Sequence, residues 1–251
     1  MDSIFITVRT DSSRLPQKAF KKIGELTAIE FLIDRLKNSK KADSIVLCTT
    51  DRPIDNQLAE IAKKSDVLLF RGSTEDKLQR WSDACDYYNV DFFVTADGDD
   101  LFCSPLLIDQ AYEQHKKNPE LEFIKADGVI CGAFTYGISG NALKKACQIK
   151  GTTNTEMMWV YFTETGLFVV DQLKNVNKKF FRDDVRMTLD YQDDLKFFLE
   201  VFEQLGGGKK FFDLHEIVDL IDKKPEIAKI NIYLQDAWKK NQEKNIKLVL
   251  K

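Results

Sequence analysis

Short apolar runs alternate with longer stretches of helical period along the first hundred residues. Ser3 to Val8 predicts a strand, and Ala28 to Leu36, apolar at 28, 29, 32, 33 and 36, predicts a helix. Ser44 to Thr49 reads as a strand, Asp55 to Lys64 as a helix, Val67 to Phe70 as a strand, Glu75 to Tyr88 as a helix and Asp91 to Ala96 as a strand. Parallel strands need crossovers, and right-handed crossovers lay helices over a sheet. The pattern therefore predicts an α/β fold, Rossmann-like, with a mostly parallel sheet flanked by helices. Ligands of such sheets sit at the carboxyl ends of the strands, which directs attention to the loops after Val8, Thr49, Phe70 and Ala96.

The rhythm loosens further on. Ser104 to Lys117 predicts a helix opened by a serine cap and Pro105. Phe123 to Asp127 and Ala133 to Tyr136 read as strands, Asn141 to Cys147 as a short helix, Val185 to Leu189 as a strand and Asp193 to Leu205 as a helix stopped by Gly206-Gly207-Gly208. Leu214 to Ile221 and a lysine-rich tail helix follow. With no internal repeat and no linker, residues 1–251 read as a single domain. Within it, about 120–180 forms an α+β excursion that covers an acceptor and supplies a possible dimer contact. Met157, Met158, Trp159, Tyr161 and Phe162 in that stretch fit core packing or an interface.

A net charge of -3 offers no field for a polyanion. The pairs Lys21-Lys22, Lys40-Lys41, Lys178-Lys179 and Lys209-Lys210 are interspersed with acids and read as solvated surface, so nucleic acid is not an expected partner. Cys48, Cys85, Cys103, Cys131 and Cys147 form no Cys-x-x-Cys pair and fit reduced thiols in the cytoplasm. His115 and His215 read as surface helix residues. No apolar run approaches the roughly 20 residues that span a bilayer, and the apolar start is too short for a signal peptide, so no membrane is expected.

Chemistry concentrates in Arg9-Thr10-Asp11-Ser12-Ser13-Arg14-Leu15-Pro16-Gln17-Lys18, directly after the first strand. Three cations, hydroxyls and a run of backbone amides in one loop suit a triphosphate. A salt-bridged surface loop has a similar composition.

The string resembles the R-x-x-S-[ST]-R-L-P-x-K signature of sugar-activating cytidylyltransferases. These are the spore-coat-polysaccharide enzymes and their relatives acting on 3-deoxy-manno-octulosonate and acylneuraminate. Four further segments are similar in order: Ile45 to Asp51, Phe70 to Asp76 with Leu78 and Arg80, Thr95 to Asp99, and Met187-Thr188-Leu189-Asp190.

The resemblance implies a fold of the nucleotide-diphospho-sugar transferase type and Mg2+-dependent transfer of a cytidylyl group from CTP to a small acidic acceptor in surface-glycan precursor synthesis. Asp99 and Asp190 would hold the metal. Arg14 and Lys18 would act on the reacting phosphates, with Arg9, Ser12, Ser13, Thr50, Asp51, Arg71, Gly72 and Asp97 about the nucleotide. Asp76, Arg80 and Glu156 would meet the acceptor, and two copies would form a homodimer. Arg71 and Asp76 fit equally well as a mutual ion pair at a helix start. Asp127-Gly128-Val129-Ile130-Cys131-Gly132 departs from the family's acidic D-G-x-D-V-E, which implies an altered acceptor pocket.

Two rivals stay open. Asp97-Gly98-Asp99 is formally the Asp-x-Asp of a GT-A glycosyltransferase, and a catalytically silent nucleotide-binding module would keep the same fold.

Overall fold

The computed structural model describes residues 1–206 and 211–251. Its strands are β1 (Asp2–Thr7), β2 (Lys22–Ile23), β3 (Leu26–Thr27), β4 (Ser44–Thr50), β5 (Leu68–Gly72), β6 (Phe92–Asp97), β7 (Phe123–Lys125), β8 (Tyr136–Ser139) and β9 (Val170–Gln172). Seven of them form one sheet in the order β5-β4-β1-β6-β8-β7-β9, while β2 and β3 pair as a small hairpin. Strands β5, β4, β1 and β6 run parallel, β8 runs antiparallel to β6 and to β7, and β9 runs parallel to β7.

Side chains on successive strand residues point to opposite faces, and the buried residues of β1 and its neighbours sort accordingly. Ile4, Ile6, Ile45, Leu47, Val94 and Ala96 belong to one apolar cluster; Phe5, Val46, Cys48 and Phe93 belong to another. The first cluster is covered by α1 (Ala28–Leu36), α2 (Asn56–Lys64), α4 (Pro105–Lys117), α7 (Gln192–Gly206) and α8 (Leu214–Lys223). The second is covered by α3 (Lys77–Tyr88), α5 (Gly140–Ile149) and the short α6 (Val160–Thr163). Each fully buried Leu, Ile or Phe contributes roughly 1.5–3 kcal/mol, so both layers are firmly held.

Local chemistry sets the helix starts. Thr27 accepts from the Glu30 amide while the Glu30 carboxylate accepts from the Thr27 amide, a reciprocal cap that opens α1 at the predicted residue. Ser104 caps α4 with Pro105 in its first turn, and Asp213 and Glu216 repeat the reciprocal cap on α8.

Several expectations need correction. Val185 to Leu189 is not a strand of the sheet: its one bridge, Cys131 to Arg186, lies outside the named strands, and the segment leads into the cavity-lining Thr188 and Asp190. The strand expected at Ala133 to Tyr136 instead begins at Tyr136. The stretch from 120 to 180 adds β7, β8 and β9 to the main sheet. Met158, Tyr161 and Phe162 are buried in the second cluster, so that aromatic group is core. His115 is half-buried and stacks on Phe92 at 4.0 Å, while the ring of His215 packs 4.6 Å from Phe180. The triglycine stop beyond Gly206 and the Lys209-Lys210 pair lie outside the described residues. No helix among the described residues is long and apolar enough to cross a membrane.

The tail helix is α9 (Gln235–Asn245). Beyond it the chain returns to the body: Gly151 N donates to Val249 O at 2.7 Å, Lys251 N to Ile149 O at 3.0 Å and the Tyr161 hydroxyl to Val249 O at 3.2 Å.

Candidate active site

The strand order reverses between β1 and β6, because β4 continues the sheet on one side of β1 and β6 lies on the other. The loops leaving these two strands open a crevice at their carboxyl ends. A cavity of about 630 Å³ occupies it.

The loop after β1 is anchored before it reaches the cavity. Asp55, fully buried, accepts from Thr10 N at 2.9 Å, from Thr10 Oγ1 at 2.7 Å and from the Thr50 hydroxyl. The loop after β6 approaches β1 closely. Gly98 N donates to Thr7 O at 2.8 Å, and a Cβ on Gly98 would stand 2.6 Å from Val8 Cβ, so no larger residue fits between Asp97 and Asp99. The third loop is held by Asp194, whose Oδ2 accepts from the backbone amides of Asp190 and Tyr191, both at 2.9 Å. Leu189 N donates to Asp99 O at 2.8 Å and so joins the second and third loops.

These anchors bring together side chains far apart in sequence. Lys18 Nζ lies 2.5 Å from Asp99 Oδ2 and 2.8 Å from Asp190 Oδ1, and Arg14 Nη2 lies 2.6 Å from the same Asp190 oxygen. Behind Asp190, the fully buried Arg186 pairs with Asp194 at 2.9 Å and reaches Asp190 Oδ2 at 3.5 Å. Burial pushes the Asp190 carboxyl up, but Lys18 and Arg14 outweigh it and hold the pKa at about 2. Burial raises the Asp97 and Asp100 carboxyls above the usual range, and Asp99 adds to both.

A second charged group lies beside the first. Lys77 Nζ is 3.6 Å from Asp97 Oδ1 and 3.7 Å from Glu156 Oε1, above the Trp81 ring, whose Nε1 donates to Thr7 Oγ1 at 2.8 Å. Arg9 Nη2 stands 3.8 Å from Glu156 Oε2. Lys77 foremost, with Arg9, holds the Glu156 carboxyl below its ordinary value.

Of the residues implied by resemblance, Arg9, Ser12, Ser13, Arg14, Lys18, Arg80, Asp97, Asp99, Glu156 and Asp190 line this cavity. Thr50, Asp51, Arg71, Gly72 and Asp76 do not. Thr50 is buried and serves Asp55; Asp51 is exposed and donates its amide to Gly72 O at 3.2 Å. Arg71 binds Thr50 O, Asn56 Oδ1 and Arg52 O, which tie the ends of β4 and β5. Asp76 caps α3 through Gln79 N, accepts from Thr155 Oγ1 at 3.0 Å and pairs with Lys150 at 2.5 Å. The pairing of Arg71 with Asp76 does not form, because each has nearer partners.

Sequence reasoning missed Lys77, Asp100 and α9. Lys77 stands one residue past a recognised motif, and its partners Asp97 and Glu156 lie 20 and 79 residues away in the chain, so it leaves no local signal. Asp100 follows Asp99 directly, and only its burial against Thr188 sets it apart. The residues of α9 read as polar tail.

Asp99 and Asp190 converge on one ammonium, and two hard carboxylates suit a divalent cation that completes its shell with water and phosphate oxygens. Among the described residues no group of three or more His, Cys, Asp and Glu is arranged to hold a metal. The donor set therefore fits a divalent cation bound together with a phosphate ligand, not a closed protein cage.

A sheet whose order reverses over a crevice, with a cationic loop opposed to paired carboxylates, defines an α/β enzyme that handles nucleotide phosphates. Residues 4–225 match the cytidylyltransferase family model, and the chain belongs to that family of CTP-using transferases.

It is 34% identical over 233 residues to an uncharacterized protein of Methanocaldococcus jannaschii, covering 90% of this chain and 92% of that protein. It is 24% identical to the spore coat polysaccharide biosynthesis protein SpsF of Bacillus subtilis, over 90% of this chain and 97% of that protein. Among solved structures, a cytidylyltransferase from Leptospira borgpetersenii superposes with a TM-score of 0.82 at 27% identity, over 90% of this chain and 96% of that one. CMP:2-keto-3-deoxy-manno-octonic acid synthetase in complex with CTP shares the fold at a TM-score of 0.62 and 14% identity, over 81% of this chain and 98% of that one. So does Rv0371c of Mycobacterium tuberculosis in complex with manganese, at 0.56 and 15%, over 79% and 97%.

Proposed function

We propose that the protein transfers the cytidylyl group of CTP to a sugar acid or other small acidic acceptor, with release of pyrophosphate, as a step in making surface-glycan precursors. The observation that carries this reading is the Lys18 ammonium seated between Asp99 and Asp190, with Arg14 on the same carboxylate.

In this reading Arg9, Ser12, Ser13 and Arg14 bind the triphosphate, and Asp97 meets the nucleoside. Lys18 turns from the carboxylates towards the α-phosphate as charge builds there and on the departing pyrophosphate. Mg2+, bound to Asp99 and Asp190, would neutralise phosphate-oxygen charge. The acceptor oxygen attacks phosphorus in line, and the chain's own task is to position the reactants and stabilise charge. Arg80 and Glu156 face the acceptor side.

The manganese bound to Rv0371c and the polysaccharide role named for SpsF support the metal and pathway parts of the proposal. The five free cysteines fit a reducing cytoplasm, where CTP is at hand. Pairing of two copies through the 120–180 stretch belongs to the same reading; Leu167 and Val169 stand half exposed there, and sedimentation velocity tests it.

The test of the reaction is pyrophosphate release with CTP, UTP, ATP or GTP and magnesium against sugar acids, sugar phosphates, polyol phosphates and phosphonates. Release with CTP and one acceptor supports it. Sugar-nucleotide consumption without pyrophosphate would favour the glycosyltransferase reading, and CTP binding with silence across the panel would favour the silent module.

A further inference from the structure

The family match ends at residue 225, yet the cavity is closed on one side by residues beyond it. Trp238, Lys239 and Gln242 of α9 line it together with Tyr136 and Trp159. The helix is fixed at both ends. Near its start, Gln235 Oε1 accepts from Arg186 Nη1 at 3.0 Å, and the Arg186 guanidinium lies 5.2 Å from the Trp238 ring centroid. Past its end, the 249–251 segment is bonded to Ile149 and Gly151. The helix is thus a wall of the cavity and not a loose tail.

The chemistry of this side differs from the phosphate end. Tyr136 and Trp159 stack at 6.5 Å with Trp238 also lining the space, and aromatic faces of this kind suit the C–H faces of a pyranose ring. Thr135 Oγ1 and Gln242 Oε1 are buried with no partner, which leaves polar atoms facing the cavity for a hydroxylated ligand. Lys125 is occupied by Asp127 at 2.6 Å, whereas Lys239 has no ion pair among the described residues.

We propose that α9 builds the acceptor subsite, with Trp238 and Gln242 framing a sugar ring and Lys239 selecting a carboxylate or phosphate on it. This rests on the cytidylyl-transfer reading and adds to it the residues that choose the acceptor.

The experiment uses the full chain with CTP and magnesium. Titration calorimetry follows CTP first, then 2-keto-3-deoxy-manno-octonic acid, glucuronic acid, glucose 1-phosphate and, as the neutral counterpart, glucose. At least one anionic sugar binds and glucose does not. Lys239→Met weakens that binding on the order of tenfold or more, Lys239→Arg restores most of it, and neither changes CTP affinity. Lys240→Met, on an exposed neighbour that does not line the cavity, leaves all values unchanged. Failure of the wild type to bind CTP would sink the cytidylyl reading, and this inference with it. Intact CTP binding with no anionic sugar bound, or with Lys239→Met binding as tightly as wild type, overturns the acceptor-wall inference alone.

Discussion

Replacing Lys18 with methionine removes one ammonium and leaves the stem. Its side chain is only 16% exposed and serves two carboxylates, at 2.5 and 2.8 Å. Breaking a buried ion pair from one side costs about 3–5 kcal/mol. Arg14 and Arg186 remain on Asp190, and the Asp99 side chain is 22% exposed, so the lower end applies, about 3 kcal/mol. For a chain of this size that is a fall of roughly 6–12 °C in Tm. If Lys18 stabilises charge only in the transition state, kcat falls on the order of a hundredfold or more while CTP affinity changes little.

Two assays read this together: thermal unfolding by circular dichroism, with EDTA or with millimolar magnesium, and pyrophosphate release. Magnesium should raise the Tm of the variant more than that of the wild type, because a divalent cation supplies the charge that the two carboxylates have lost. A variant that melts with the wild type in EDTA and turns over at a near-normal rate would refute the argument on both counts.

Asp99→Asn should abolish turnover with the fold kept, read by unchanged far-ultraviolet dichroism beside lost pyrophosphate release; near-normal activity removes Asp99 from the metal site. Because Lys18 and Arg14 hold the folded Asp190 pKa at about 2, below its ordinary 3.8, its contribution to stability is complete above about pH 4 and fades as pH falls toward 2. Urea unfolding between pH 6 and pH 2 reads that slope, and Asp190→Asn should flatten it. Asp76→Asn should lower stability by about 2–4 kcal/mol through the lost Lys150 pair and weakened α3 cap, with little change in acceptor KM per folded molecule. A selective rise in acceptor KM would instead return Asp76 to the binding site.

The cationic side of the cavity was legible because Arg9, Arg14 and Lys18 fall within ten residues after the first strand, so that local order and spatial order coincide. Helix α1 was legible to the residue because its apolar positions at 28, 29, 32, 33 and 36 keep the helical period, and the reciprocal cap of Thr27 and Glu30 fixes its start in the fold. Val185 to Leu189 misled because alternating apolar residues have the pattern of a strand whether or not a neighbouring strand pairs with them, and here every residue from Val185 to Leu189 is buried without joining the sheet. Asp76 and Arg71 misled for a related reason. A charged residue at a strand or helix end has the composition of a ligand, and only the positions of Lys150 and the Thr50 and Arg52 carbonyls show where its charge is spent. The wall formed by α9 was invisible because its lysines and glutamines are ordinary surface residues until a distant cavity lies beneath them.

Lys18 meets one carboxylate 81 residues later in the chain and another 172 residues later. At a synthesis rate of about 5–20 residues per second, Lys18 emerges roughly 10–35 s before Asp190 exists. Throughout that interval the loop after β1 lacks the carboxylate on which Lys18 and Arg14 both close. The convergence of Lys18 on Asp99 and Asp190 is thus completed late in translation, when the chain beyond Gln172, where the last strand of the sheet ends, closes over strands already made.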